Sequence, residues 1–231
     1  MNQFLFGTLP YIALTVLLVG TIARYERDPF TWKSSSSQLL RRKQLILGSV
    51  LFHVGVLVVF FGHLFGLLIP IGVYEFFGIP PEAKQLLAAL AGGLFGTIAI
   101  IGALILAHRR LVDPRVRARS SFADTGILLL LIVQLALGLI SVPYSLSALS
   151  EGGVIKFMAW ANGIFTFDGN AASYLQNVEL IFKIHIVLGL TIFILFPFTR
   201  LVHMISAPIR YIWRPGFQIV RTRKNSANRA K

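Results

Sequence analysis

Residues 51–68 read LFHVGVLVVFFGHLFGLL, and residues 182–203 read FKIHIVLGLTIFILFPFTRLVH. Both runs are apolar and of membrane-crossing length, and each carries two histidines: His53 and His63 in the first, His185 and His203 in the second. An ionisable or metal-ligating side chain at membrane depth is costly unless something there binds it. Four of the chain's five histidines therefore point to an intramembrane ligand. Haem is the candidate. Imidazole is a neutral nitrogen donor of intermediate softness, and an iron with histidine on both axial sides has no open position for dioxygen or substrate, so it carries electrons.

The rest of the chain fits that setting. Of its 231 residues, 55% are hydrophobic and 13% charged, with a mean hydropathy of +0.74, a composition that excludes a soluble domain. Five stretches, about 4–23, 45–69, 86–107, 125–145 and 178–199, suffice to cross ~30 Å of hydrocarbon at ~1.5 Å per residue. The expected fold is all-α, with five transmembrane helices in a single domain over 1–231 and a basic tail from about 206. The first apolar run lacks the basic region and small-residue cleavage site of a secretory signal, so a retained first helix is expected. The chain has no cysteine, which excludes disulfides, thiolate zinc sites and Cys-ligated iron–sulfur clusters within it.

The net charge of +13 is a matter of topology rather than of nucleic-acid binding. Connection 24–44 carries six basic residues, connection 108–124 five and the tail from Arg200 eight, whereas the two intervening loops carry Lys84 and Lys156. Nineteen against two places the N-terminus outside and the C-terminus inside by the positive-inside rule. The same residues suit anionic lipid headgroups and the docking of a cytoplasmic partner. Stretch 154–161 reads as a short helix on the outer surface, and Ser34–Ser37 is a short polar run. Gly62-x-x-x-Gly66 and Gly92-x-x-x-Gly96 are spacings that let helices or a flat ligand approach closely.

The second span runs inside to outside and the fifth outside to inside, so their histidines match by depth. His53 and His203 lie towards the inside, His63 and His185 towards the outside. Ideal helices would separate His53 from His63 by ~15 Å and His185 from His203 by ~27 Å. The mismatch predicts two tilted haem planes and a bend at Pro197. His108, beside Arg109 and Arg110, has no depth-matched partner and reads as an interfacial residue. Lys84, in PPEAKQ before the third span, is either a solvated anchor or a hydrogen-bond donor to a quinone carbonyl on the His63–His185 side. Glu82 reads as solvated. Lys183 either snorkels outward or meets a haem propionate.

The stretches quoted above are similar to the haem-bearing second and fifth helices of the gamma subunit of respiratory membrane-bound nitrate reductase. The likeness extends to YIALTVLLVGTIARYERDPFTWKSSSSQLLRRKQ, EAKQLLAALAGGLFG and RRLVDPRVRARSSFADTGILLLLIVQLALGL, and so to nearly the whole chain. It implies a dihaem cytochrome b of the bacterial inner membrane that oxidises quinol, menaquinol or ubiquinol. Electrons would pass to an iron–sulfur subunit and then to a cytoplasmic molybdenum subunit that reduces nitrate to nitrite. It further implies that His53 and His203 hold the inner haem b, that His63 and His185 hold the outer one, and that Lys84, Gly62 and His63 form the quinol site. His108 departs from the basic residue expected there. The rival readings are a cytochrome b anchor of a hydrogenase, formate dehydrogenase or sulfur-cycle complex, and an ion or proton transporter relaying through histidines. The transporter is disfavoured because no span carries a central Asp or Glu.

Overall fold

The computed structural model describes residues 1–28, 30, 32, 40–149 and 153–206. Every regular element among them is helical. Helix α1 (Leu9–Arg27) continues from a π-helical turn over Phe4–Thr8, and α2 (Arg42–Leu68) is followed by the short α3 (Ile71–Phe76). Then come α4 (Pro81–Val112), α5 (Pro114–Ala118), α6 (Phe122–Ser147), α7 (Gly153–Phe165) and α8 (Leu180–Leu195). Five segments, Phe4–Arg27, Arg42–Leu68, Pro81–Val112, Phe122–Ser147 and Leu180–Phe198, are long and apolar enough to span a membrane. The Ser34–Ser37 run and the tail beyond Ser206 lie outside the described residues.

Local chemistry sets the helix ends. Ser121 and Asp124 form a reciprocal capping box on α6: Asp124 N–H donates to Ser121 Oγ at 3.0 Å, and Ser121 N–H donates to Asp124 Oδ2 at 3.2 Å. Asp113 caps α5 by accepting from the N–H groups of Arg115 and Val116. Helix α2 stops at Leu68, and Ile69 is extended, as a residue before proline prefers to be. Pro81 opens α4 because the first helical position needs no N–H. Helix α4 thus starts five residues earlier than expected and takes Lys84 into its first turn. Its 32 residues, at ~1.5 Å each, make a rod of about 48 Å, so both ends pass beyond the hydrocarbon.

Backbone packing pairs α2 with α4, α4 with α6, α6 with α8 and α8 with α1. Helices α2 and α4 approach closely. A Cβ placed on Gly55 would meet the backbone of Phe95 and Ala99, and one on Gly102 would meet the backbone of Gly48 and Phe52. Small residues let helices touch where no hydrophobic force separates protein from lipid. This corrects the expected contact points. Gly62, Gly66 and Gly92 have nothing within 4 Å of an added Cβ, and only Gly96 of those four meets a neighbour, Leu139.

The fifth span breaks where Pro197 predicts a bend. Helix α8 ends at Leu195, Phe196–Phe198 form a 3-10 turn, Thr199 is extended, and a second 3-10 turn runs over Arg200–Met204. His203 therefore sits beyond the break, not on the helix that carries His185. Proline lacks the N–H that an α-helix needs. Thr199 restarts the chain by accepting the Leu201 N–H on its hydroxyl at 3.4 Å.

The short helix expected over 154–161 forms as the longer α7. Trp160, Ala161 and Ile164 on its buried face pack with Phe6, Ala171, Ala172 and Leu175 rather than lying free on a surface. Trp160 Nε1 donates to the Phe6 carbonyl at 2.8 Å, fastening the N-terminal turn to α7. Gln85 ties in the end of α6: it donates to the Ser145 carbonyl at 2.6 Å and accepts from Val154 N–H at 3.1 Å.

Candidate functional site

The histidines of α2 and of the fifth span meet ring to ring at two levels of the bundle. His53 and His203 have centroids 6.2 Å apart with planes at 75°. For His63 and His185 the values are 6.1 Å and 41°. These are the pairings expected from depth. The ~27 Å separation expected of His185 and His203 assumed one continuous helix, and the break at Pro197 removes that premise.

Each pair can be tested for the group it suits. An imidazole–metal bond of about 2.0–2.1 Å, plus about 1.1 Å from ring nitrogen to ring centre, sets two rings on one metal about 6.3 Å apart. Both pairs match. Among the described residues no cluster of three or more His, Cys, Asp or Glu side chains can hold a metal ion. A bare zinc ion would lack its remaining ligands, whereas a haem iron brings four nitrogens and needs only two axial partners. His53 Nδ1 lies 2.7 Å from the Ser49 carbonyl, and His63 Nδ1 lies 2.8 Å from that of Val59. His203 Nδ1 meets the Arg200 carbonyl. A ring whose Nδ1–H donates to a carbonyl keeps the Nε2 lone pair for a metal. His53 and His63 are also exposed to space free of protein, although they sit within an apolar span. The residues present fit haem.

His185 is held differently. The Gln134 amide donates to the His185 backbone carbonyl at 3.1 Å and stands 3.3 Å from its Nε2, and His185 Nδ1 is buried without a hydrogen bond. Which ring nitrogen faces Gln134 is an assignment that a ring flip reverses. A Cβ on Gly138 would come 3.2 Å from the His185 ring. Gln134 was missed in the sequence reading, although a lone amide inside the apolar run ILLLLIVQLALGL was the available signal.

Lys84 is neither a solvated anchor nor a residue of a loop. It is buried at 5% exposure, its ammonium donates to the Gly66 carbonyl at 2.8 Å, and it lies 4.9 Å from the centre of the Tyr74 ring. Helix termini leave carbonyls without partners, and a cation favours that end of the macrodipole. Lys84 thus caps α2 one turn beyond His63. Gly62, with open space where a side chain would be, adjoins His63 on the same helix. Lys84, Gly62 and His63 come together at one end of α2.

The remaining polar residues resolve simply. His108 Nδ1 pairs with Gln44 Nε2 at 3.1 Å and joins the two ends of α2 and α4, in keeping with an interfacial role. Lys183 is half-buried and donates to the Gln176 carbonyl at 2.8 Å. Glu82 is exposed. At the basic end, Arg109 is buried and donates to the Leu40 carbonyl at 2.7 Å. Arg41 Nε donates to Asp113 Oδ2 at 2.8 Å. Desolvation works against the Asp113 charge, but the N–H groups of Val116 and Arg115 and the Arg41 guanidinium outweigh it and hold the carboxyl below its usual range.

Five membrane-length helices, with two histidine pairs facing each other between them, define a membrane protein. The nitrate reductase gamma subunit family matches residues 2–223, and the chain belongs to that family. It is 45% identical over 223 residues to the respiratory nitrate reductase 1 gamma chain of Escherichia coli K12, covering 96% of this chain and 98% of that one. The nitrate reductase gamma chain of Bacillus subtilis 168 is 42% identical over 213 residues, covering 92% and 95%. The nitrate reductase-like protein NarX of Mycobacterium tuberculosis H37Rv is 31% identical over 226 residues, where the match covers 97% of this chain and 34% of that longer protein. The chain is thus a membrane-embedded electron-transport subunit of a nitrate reductase complex.

Proposed function

We propose that this chain is the quinol-oxidising dihaem subunit of respiratory nitrate reductase, built as one domain over 1–231 in the bacterial inner membrane. His53 and His203 would hold an inner haem b, and His63 and His185 an outer haem b. The observation that carries this reading is the pair of ring separations, 6.2 and 6.1 Å, on two levels of one bundle. When bound, the haems supply the one-electron carriers between quinol and an iron–sulfur subunit, which serves the molybdenum subunit that reduces nitrate to nitrite.

The chain's own residues bind and orient. The Ser49, Val59 and Arg200 carbonyls fix three imidazole tautomers, which keeps Nε2 available and raises its basicity. The Lys84 ammonium has three donors, one of them on Gly66, so two remain for the ring oxygen of a quinone. Gly62 leaves room for a flat ring beside His63. With the N-terminus outside, this end of α2 faces the outer side. Quinol gives up two electrons and two protons there, nitrate reduction consumes two protons inside, and their separation builds membrane potential. The nitrate in the relatives' names favours this terminal acceptor over that of a hydrogenase or formate dehydrogenase anchor.

A pyridine haemochrome assay of the purified chain should give two haems b per chain. In the assembled complex, quinol should reduce both, and added nitrate should reoxidise them. Absence of haem b, or quinol-reduced haem that nitrate leaves unchanged, would overturn the proposal.

A further inference from the structure

Arg24, in the last turn of α1, donates from Nη1 to the Pro197 carbonyl at 2.7 Å and to the Thr199 carbonyl at 2.8 Å. Those two carbonyls flank the break in the fifth span, on either side of Phe198. Four residues earlier in the same helix, Gly20 receives the Pro197 ring: a Cβ there would lie 2.9 Å from Pro197 Cγ. Pro197 and Val202 are among the most completely buried side chains of the molecule. Past the break, the Arg200 carbonyl accepts from His203 Nδ1, and the Arg200 guanidinium lies 3.8 Å from the Asp124 carboxylate at the start of α6. A charged donor on two carbonyls forms short, strong bonds, and a broken helix inside a membrane must have its freed carbonyls satisfied by neighbours.

From this arrangement we infer that Arg24 is a positioning residue for the inner haem. It holds the chain in its broken course, so that His203 turns towards His53 instead of continuing along the axis of α8. Neither Arg24 nor Gly20 touches a histidine of either pair through any bond described above. Their effect runs through the backbone from Pro197 to Arg200. The other pair is set differently: His185 lies on the unbroken helix α8, where Gln134 rather than an arginine donates to its carbonyl. The inference rests on the proposed pairing of His53 with His203 around a haem.

The test uses the full-length chain in its complex, with haem content per chain and the low-spin EPR signals and midpoint potentials of the two haems as readouts. Arg24→Gln should lower the occupancy of the inner haem, or displace its EPR signal and potential, while the outer haem keeps its wild-type values. Arg24→Lys, which restores a charged donor, should recover at least half of the loss. Gly20→Ala, which pushes on Pro197 from the same side without touching Arg24, should produce the same confined change, and it carries the test if Arg24→Gln does not accumulate. An unchanged inner haem in the variant tested, or equal loss of both haems, would overturn the role of Arg24. His53→Ala separates this failure from that of the pairing: if it retains both haems, the pairing itself is wrong, whatever Arg24 does.

Discussion

Lys84 illustrates how sequence can leave a side chain open between two readings, a solvated anchor and a hydrogen-bond donor, of which burial removes the first. PPEAKQ looks like a hydrated connection because it opens with two prolines and holds a glutamate, yet Pro81 starts a helix and turns Lys84 inward onto the Gly66 carbonyl. No sequence pattern announces a bond to a backbone carbonyl eighteen residues away. The facing of the histidine rings was legible for the opposite reason: an imidazole in an apolar span has few uses, and depth alone pairs four of them on two antiparallel spans. Lys84→Ala should slow quinol oxidation and weaken binding of a quinone analogue while both haems remain. A charge-assisted hydrogen bond is worth about 1.5–3 kcal/mol, so binding should weaken roughly 10- to 150-fold. Quinone-analogue titration of the haem spectrum measures this, and unchanged affinity would leave Lys84 with its capping role alone.

Among the helices, span number and type were readable from hydropathy, whereas the faces were not. A helix that is apolar all round carries no stripe to say which side meets protein and which meets lipid. Both kinds of side display small residues in this chain. Gly62, Gly66 and Gly92 stand in open space, and Gly48, Gly55 and Gly102 bear the close contact of α2 with α4. The distinction can be measured. Gly102→Val drives a branched side chain into the backbone of Gly48 and Phe52, and overpacking of this kind costs about 1–3 kcal/mol. Because Phe52 adjoins His53, the inner haem should loosen first on thermal unfolding. Gly92→Ala, whose methyl meets nothing, should be neutral or stabilising by about 0.5–1 kcal/mol, since alanine suits a helix interior better. Equal destabilisation by the two substitutions would refute this packing.

At the scale of the whole molecule, charge and helix packing act together. Basic residues cluster at one end of the bundle, where Arg41, Arg109 and Arg200 are engaged by Asp113, the Leu40 carbonyl and Asp124 respectively. On the proposed function, that end would lie in the cytoplasm and face an iron–sulfur subunit. A reporter active only in the cytoplasm should therefore work when fused after Lys231 and fail when inserted near Lys156. The reverse pattern would invert the direction of electron flow. Asp113 adds a pH dependence at this end. Its folded pKa lies below its unfolded value, so its contribution is complete above the ordinary carboxylate range and is lost as pH falls through the folded value. The amide hydrogens of Arg115 and Val116, both bonded to Asp113, should accordingly lose protection relative to their intrinsic exchange rates as pH falls in the native chain, and lack it already at neutral pH in Asp113→Ala.

Both histidine pairs draw one partner from α2 and the other from residues 185 and 203 of a 231-residue chain. On the proposed pairing, this fixes the order of biogenesis. While a ribosome is still making the first four spans, His53 and His63 have no opposite ligand, and a haem offered to them would be held by one imidazole with its other face open to reaction. The outer site becomes complete only when His185 has entered the membrane, and the inner site only after the break at Pro197 has been made and closed. Haem loading is thus a late event, with the outer site first. Ribosome-arrested chains of increasing length should acquire their first bis-histidine haem signature only after the fifth span emerges, and their second only when the chain includes His203.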